Sequence, residues 1–342
     1  MLIAQLLNLL YNIVDRIYIG KIPGEGTLAL ASIGLCFPFV TLITAFANLF
    51  GLGGAPLCAM ARGKGNREGA QGIMVNAGFM PLLSGAVLTV LGIAFHRPLL
   101  YLFGASEVTY PYASSYIVIY LIGTLCVMLS LGLNPYINCQ GFARTGMLTV
   151  ALGAAANIVL DPIFIFALHL GVRGAAIATV LSQFLSAAWV VKFLTSKKAE
   201  LKLDFRGFRP DCQCIQRITV LGIASFVMSF TDTLVQVACN ATLRNFGGDL
   251  YISVMTVLNS VRQIAQTPVL AIADGASTAI SYNYGAGLYK RTRDAIRFMT
   301  QIAIGYTMLV WMLVSLFPAL FIRIFNQDAE LVAAAVPALH IY

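Results

Sequence analysis

The chain has 342 residues, 59% of them hydrophobic and only 11% charged, with a mean hydropathy of +0.82. Soluble domains carry about 25% charged residues, so this composition excludes an ordinary globular protein and reads as a membrane protein. The net charge of +8 would suit an anionic partner, but its distribution excludes nucleic acid: the basic residues fall between apolar segments and report topology instead.

A helical span needs about 20 apolar residues, and such segments recur at roughly 1–19, 27–61, 71–95, 112–140, 147–168, 174–195, 217–243, 251–283, 294–317 and 329–342. They lack the alternation of a transmembrane barrel, so the predicted class is all-α and polytopic. The loops on one side carry 15 Lys and Arg, those on the other 5. The basic side is cytoplasmic by the positive-inside rule, which puts the amino terminus inside and the protein in the cell membrane. The first apolar stretch has no basic lead-in, so no cleavable signal peptide is expected.

The opening helix carries Asn8, Tyr11, Asn12 and Asp15 at i, i+3, i+4 and i+7, one face of an apolar span. Such a stripe should face protein or water. Asp15 lies near the outer end. Its neighbour Arg16 cannot share its face, and a long basic side chain there snorkels outward. The second helix holds Pro38 and Gly51-Leu-Gly-Gly54, small residues that permit close contact, and ends in the basic turn ARGKGNREGA. The third is uninformative, and 96–111 reads as an outer loop. The fourth is expected as one helix over 112–140, with Tyr116 near the outer surface and Asn134-Pro135 deeper. Asn134 either repairs the backbone that Pro135 breaks or joins a polar network.

The most informative stretch is Ala154 to Gln183, AAANIVLDPIFIFALHLGVRGAAIATVLSQ. An apolar helix is expected to run through Asp161-Pro162 to about His169 and return as a second helix. A carboxylate at such depth costs roughly 2.5–3.5 kcal/mol, so Asp161 should face a cavity or partner. Alternatively it caps a helix restarted at Pro162. Asn157 lies one turn earlier. Both acidic helices run outward, and counting from their outer ends puts Asp15 and Asp161 within ~4–5 Å of the same depth. Thr179, in the outer half of the returning helix, either joins them or bonds its own i−4 carbonyl.

Residues 196–216 are the one long polar segment and read as a cytoplasmic linker between an N-terminal lobe, 1–195, and a partial C-terminal lobe, 217–342. Beyond it, Asp232, Asn259, Arg262 and Gln263, with Asn8 and Asn12 before it, are candidates for a central substrate path. The seven cysteines are scattered, and the lone Cys212-x-Cys214 reads as free thiols. Gly63 and Gly285 close equivalent helices 222 residues apart, with Gly53 and Gly275 ten residues before them. Six intervening helices keep the orientation, a parallel repeat. Two full units would need 444 residues, so the pattern implies a truncated chain lacking about two and a half helices.

The block NIVLDPIFIF followed by LGVRGAAIATVLSQ, the opening LYNIVDRIYIG and the later ADGASTAISYNYGAG together resemble the multidrug and toxic compound extrusion (MATE) family over nearly the whole chain. The resemblance implies twelve helices in two pseudo-symmetric six-helix lobes, the second incomplete here, that give alternating access to a central cavity. It implies export of small organic, often cationic, compounds in exchange for Na+ or H+, with no cofactor besides that coupling ion, by a monomer in the lipid bilayer. Carried over, the family's cation site would be Asp15, Asn157, Asp161 and Thr179, the ligands of Na+ if sodium couples, with Tyr116 and Asn134 as network partners. Carboxylate, amide and hydroxyl oxygens are hard donors that suit a hard cation. A flippase for lipid-linked oligosaccharide or peptidoglycan precursors is the alternative. Its pyrophosphate would call for several buried arginines, and only Arg16 and Arg262 lie within spans. No enzyme motif appears at catalytic spacing, so an enzyme is not expected.

Overall fold

The computed structural model describes residues 7, 11, 14–15, 17–19, 22, 26–325 and 329–341. Residues 7, 11, 14–15 and 17–19 of the opening segment are helical. The helices that follow are α1 (Gly26–Gly63), α2 (Arg67–Leu102), α3 (Tyr110–Ile122), α4 (Thr124–Cys139), α5 (Ala143–Pro162), α6 (Gly171–Thr195), α7 (Cys212–Gly285), α8 (Tyr289–Leu316), α9 (Pro318–Phe325) and α10 (Ala329–Ile341). Among the described residues six helices are long and apolar enough to cross a bilayer, seven when the bent α3–α4 pair counts as one span. The chain is an all-helical polytopic membrane protein.

Several boundaries differ from those the sequence predicts. The expected single helix over 112–140 is broken at Gly123, where α3 and α4 meet at 55°. A side chain at Gly123 would collide with Val180 at 2.5 Å. The break lets α6 press into the corner, and Pro135, the residue that looked like a breaker, lies inside an unbroken α4. The loop expected over 96–111 is shorter, because α2 continues to Leu102. Tyr101 stacks on Tyr110 at 5.1 Å and Arg97 sits over the same ring at 5.9 Å, so contacts with α3 hold the last turn of α2. Beyond Pro162 the α-helix widens into a π-turn, Ile163–Ala167, before the chain reverses through His169 and Gly171, both at positive φ.

α7 is a continuous helical run of 74 residues, yet it is not straight. Gly222 packs on Leu49 of α1 and Gly285 on Met60 of the same helix. Those two points on α1 lie 11 residues apart, about 16 Å, while a straight helix from 222 to 285 would cover about 95 Å. The run therefore folds back, as the two predicted spans 217–243 and 251–283 require. Its returning limb brings Gly285 against Gly63. The ideal Cβ of Gly63 falls 2.1 Å from the Tyr282 carbonyl, and that of Gly285 falls 2.1 Å from the Met60 carbonyl. Residues 60 and 63 thus meet 282 and 285 reciprocally, each pair separated by the same 222 residues. This is the contact expected on an axis relating two copies of one unit.

Two apolar clusters fill the N-terminal lobe. One gathers Phe39, Ile43, Ile117, Leu121 and Val172; the other gathers Met74, Leu133, Tyr136 and Leu194, with Ile218 of α7 packed onto it. The polar linker is not a free tether. Leu201 and Leu203 are buried in the second cluster, the Leu203 N–H donates to the Leu194 carbonyl at 2.9 Å, and the Leu201 N–H donates to Gln140 Oε1 at 2.9 Å.

Candidate functional site

Asp161 is fully buried near the C-terminal end of α5, and Asn157 one turn earlier is nearly so. The Asn157 amide donates from Nδ2 to Asp161 Oδ1 at 3.1 Å. The helix passes through Asp161 without a break, so Asp161 is not the cap of a restarted helix. The following π-turn is held close to α6 by Gly174, whose side chain, had it one, would strike the Phe164 carbonyl at 2.5 Å. This is the physical reason for glycine in Val-Arg-Gly: it sets the α5 carboxylate against the opening turns of α6.

Asp15 of the opening segment stands beside Asp161, close enough for the two carboxyls to interact directly. The Tyr116 side chain is buried near Asp15, and its hydroxyl meets that of Thr179. Thr179 therefore engages a neighbouring helix. The two acidic residues, Asn157, Tyr116 and Thr179 come from the opening segment, α3, α5 and α6 and converge on one locus. Asn134 is on α4. It lines a cavity together with Tyr11, Asn157 and Thr179, and its Oδ1 accepts no hydrogen bond.

That cavity has a volume of ≈ 60 Å³. A water needs only about 10–15 Å³ of such space, so it holds several. It is walled by residues that the sequence did not single out: Ser130, Gln183, Ser182, Ser186 and Thr149. Ser130 donates to Gln183 Oε1 at 2.7 Å, tying α4 to α6. The signal was present in the spacing of Thr179, Ser182, Gln183 and Ser186 on one helix face, but hydroxyls in membrane helices commonly bond their own backbone. Ser182 does so, donating to the Ala178 carbonyl at 2.7 Å. Asp161 Oδ2 and Asn157 Oδ1 both lack a hydrogen-bond partner. A buried acceptor left unpaired costs about 1–3 kcal/mol, more when charged. Two such oxygens beside a second carboxyl form a donor set that a small hard cation or a proton satisfies.

Of the substrate-path candidates, Asp232, Arg262 and Gln263 do not join this locus. Asn8 and Asn12 lie outside the described residues. Asp232, Arg262 and Gln263 on α7 are exposed, and Asn259 is buried, adjacent in sequence to Val257 and Leu258 of a small separate apolar cluster.

Where α1 and α7 meet, the two pack against each other closely. Gly53 of α1 meets the Ile218 carbonyl, Gly63 meets Tyr282, and neither place has room for a side chain. Arg62 pairs with Glu200 of the linker, donates to the Cys139 carbonyl and lies 5.8 Å from the centre of the Tyr282 ring. One guanidinium thus ties α1, α4, the linker and the returning limb of α7.

Among the described residues the acidic locus is buried inside an all-helical membrane protein. The MatE family model matches residues 1–163 and 224–342, and the chain belongs to that family of multidrug efflux transporters. It is 25% identical over 336 residues to a multidrug export protein, MepA, of Staphylococcus haemolyticus, covering 98% of this chain and 73% of the relative. Among solved structures it is similar to an outward-facing multidrug resistance MATE transporter of the MOP superfamily, at a TM-score of 0.89 and 26% identity, covering 99% of this chain and 75% of that one. A MATE crystal structure in the bent conformation gives 0.88 and 26%, with 99% and 76% covered. Neither the family nor these relatives favours the lipid-precursor flippase.

Proposed function

We propose that the protein is a cation-coupled antiporter that exports small organic, cationic compounds by alternating access. It lies in the cell membrane with its amino terminus in the cytoplasm and works as a monomer without a cofactor. Asp15, Asn157, Asp161 and Thr179 bind the coupling ion, Na+ or H+, and Tyr116 and Asn134 extend their network. Loading the two carboxyls favours one arrangement of the lobes, and the organic substrate binds the other better, so the ion gradient drives export. The observation that supports this reading is the meeting of two carboxyls and an amide inside an apolar lobe, with acceptor oxygens left unsatisfied. The similarity to a multidrug export protein supports the substrate class. Efflux of a fluorescent organic cation from energised vesicles, under a sodium or a proton gradient applied separately, tests it. Asp161→Asn should insert normally and lose gradient-driven efflux; full efflux in that variant would remove Asp161 from the mechanism.

A further inference from the structure

The cavity below the acidic locus continues a longer feature. On α5 the residues facing α4 and α6 are small or polar for five successive steps: Gly146, Thr149, Gly153, Asn157 and Asp161. Because α5 runs outward and α6 inward, the cavity's reach from Asn157 to Thr149 and from Thr179 to Ser186 points the same way, about 10–12 Å toward the cytoplasm. Its floor is one hydrogen bond, from Ser186 Oγ to the Thr149 carbonyl at 3.1 Å. Beneath the floor, on the last turn of α4, lies Asn138. It is 93% buried, its Oδ1 has no partner, and that oxygen points at Gly146 of α5, 2.1 Å from where a Cβ would stand. Unpaired acceptor oxygens thus descend from Asp161 through Asn157 and Asn134 to Asn138 at the cytoplasmic end of the lobe. In an apolar interior such a column calls for water or a cation. Between α1 and the returning limb of α7, by contrast, the glycine crossings and Arg62 leave no such space.

We infer that the coupling cation leaves the acidic locus for the cytoplasm through the interior of the N-terminal lobe, along the α4–α5–α6 seam, with the Ser186–Thr149 hydrogen bond as its gate. This rests on the cation-site reading above. It separates the routes of the two transported species: the organic substrate uses the space between lobes, the cation the inside of one.

The test uses the full chain in proteoliposomes, with ²²Na+ or a pH-sensitive dye as probe and sodium and proton gradients in separate arms. Asn138→Leu removes the lowest acceptor while keeping a similar volume. It should leave cation binding within about twofold of the native value, because Asp161 is untouched, and lower gradient-driven efflux at least tenfold. Asn138→Asp, which restores an acceptor, should recover it. Native efflux in Asn138→Leu would overturn the route. Unchanged cation binding in Asp161→Asn would instead overturn the cation-site reading, so the two failures are distinct. Should Asn138→Leu fail to insert, Ser186→Ala decides. Without its gate bond it should leak Na+ or H+ several-fold faster in the absence of organic substrate, and a leak equal to the native one would overturn the route.

Discussion

The N-terminal lobe buries Met74, Leu133, Tyr136 and Ile137 completely, whereas α8 buries only Thr292 and Val310 and leaves Trp311 70% exposed. In water the second pattern would be a defect. In a bilayer an outward apolar face meets lipid as apolar as itself, so burying apolar groups between helices gains little and does not distinguish the two regions. What distinguishes them is polar burial. The N-terminal lobe hides Asp161, Asn157, Asn138 and Thr149, and hiding them is costly enough to require a purpose. Among the described residues α8 hides a single polar side chain, Thr292.

The comparison breaks most easily at the tight crossings. Gly222→Val would drive a side chain into the Leu49 carbonyl, 1.9 Å from its ideal Cβ. The expected loss exceeds about 4 kcal/mol, seen as little folded protein recovered from the membrane. Next is Asp161→Asn, which should abolish gradient-driven efflux while the purified variant melts no lower than the native protein, since a buried carboxyl becomes neutral. Arg62→Ala removes the Glu200 pair, the Cys139 contact and the Tyr282 stacking together. It should cost about 1–3 kcal/mol and speed protease cleavage in the linker over 196–211. The smallest effect is expected for Trp311→Ala on α8: less than about 0.5 kcal/mol, with the detergent melting temperature nearly unchanged. A large loss there would mean that Trp311 packs against more than the described residues show.

How far the site could be read beforehand depended on the kind of signal. Asp15 and Asp161 stood out because charges are rare in apolar spans, and counting residues from two helix ends was enough to place them at one level. Helix rise is regular, so depth is legible where ends are marked. Gln183, Ser130 and Ser186 were not legible, because a hydroxyl or amide on a membrane helix has a ready partner in its own backbone and only packing decides. The bend at Gly123 went unseen for a related reason. Pro135, the obvious breaker, is accommodated within α4, while the real corner is set by contact with Val180 on a distant helix. The 222-residue offset between Gly63 and Gly285 was visible in the sequence, but nothing there indicated that the two glycines touch.

That touching pair has a mechanical consequence. A point lying on the axis between two equivalent bodies is displaced least when one turns against the other, so under the proposed alternating access the knuckle formed by Met60, Gly63, Tyr282 and Gly285 would be the fulcrum. A rotation of ten degrees about it moves the far ends of 20-residue helices, some 30 Å away, by about 5 Å. Small residues at the fulcrum therefore give leverage at the opposite face of the membrane.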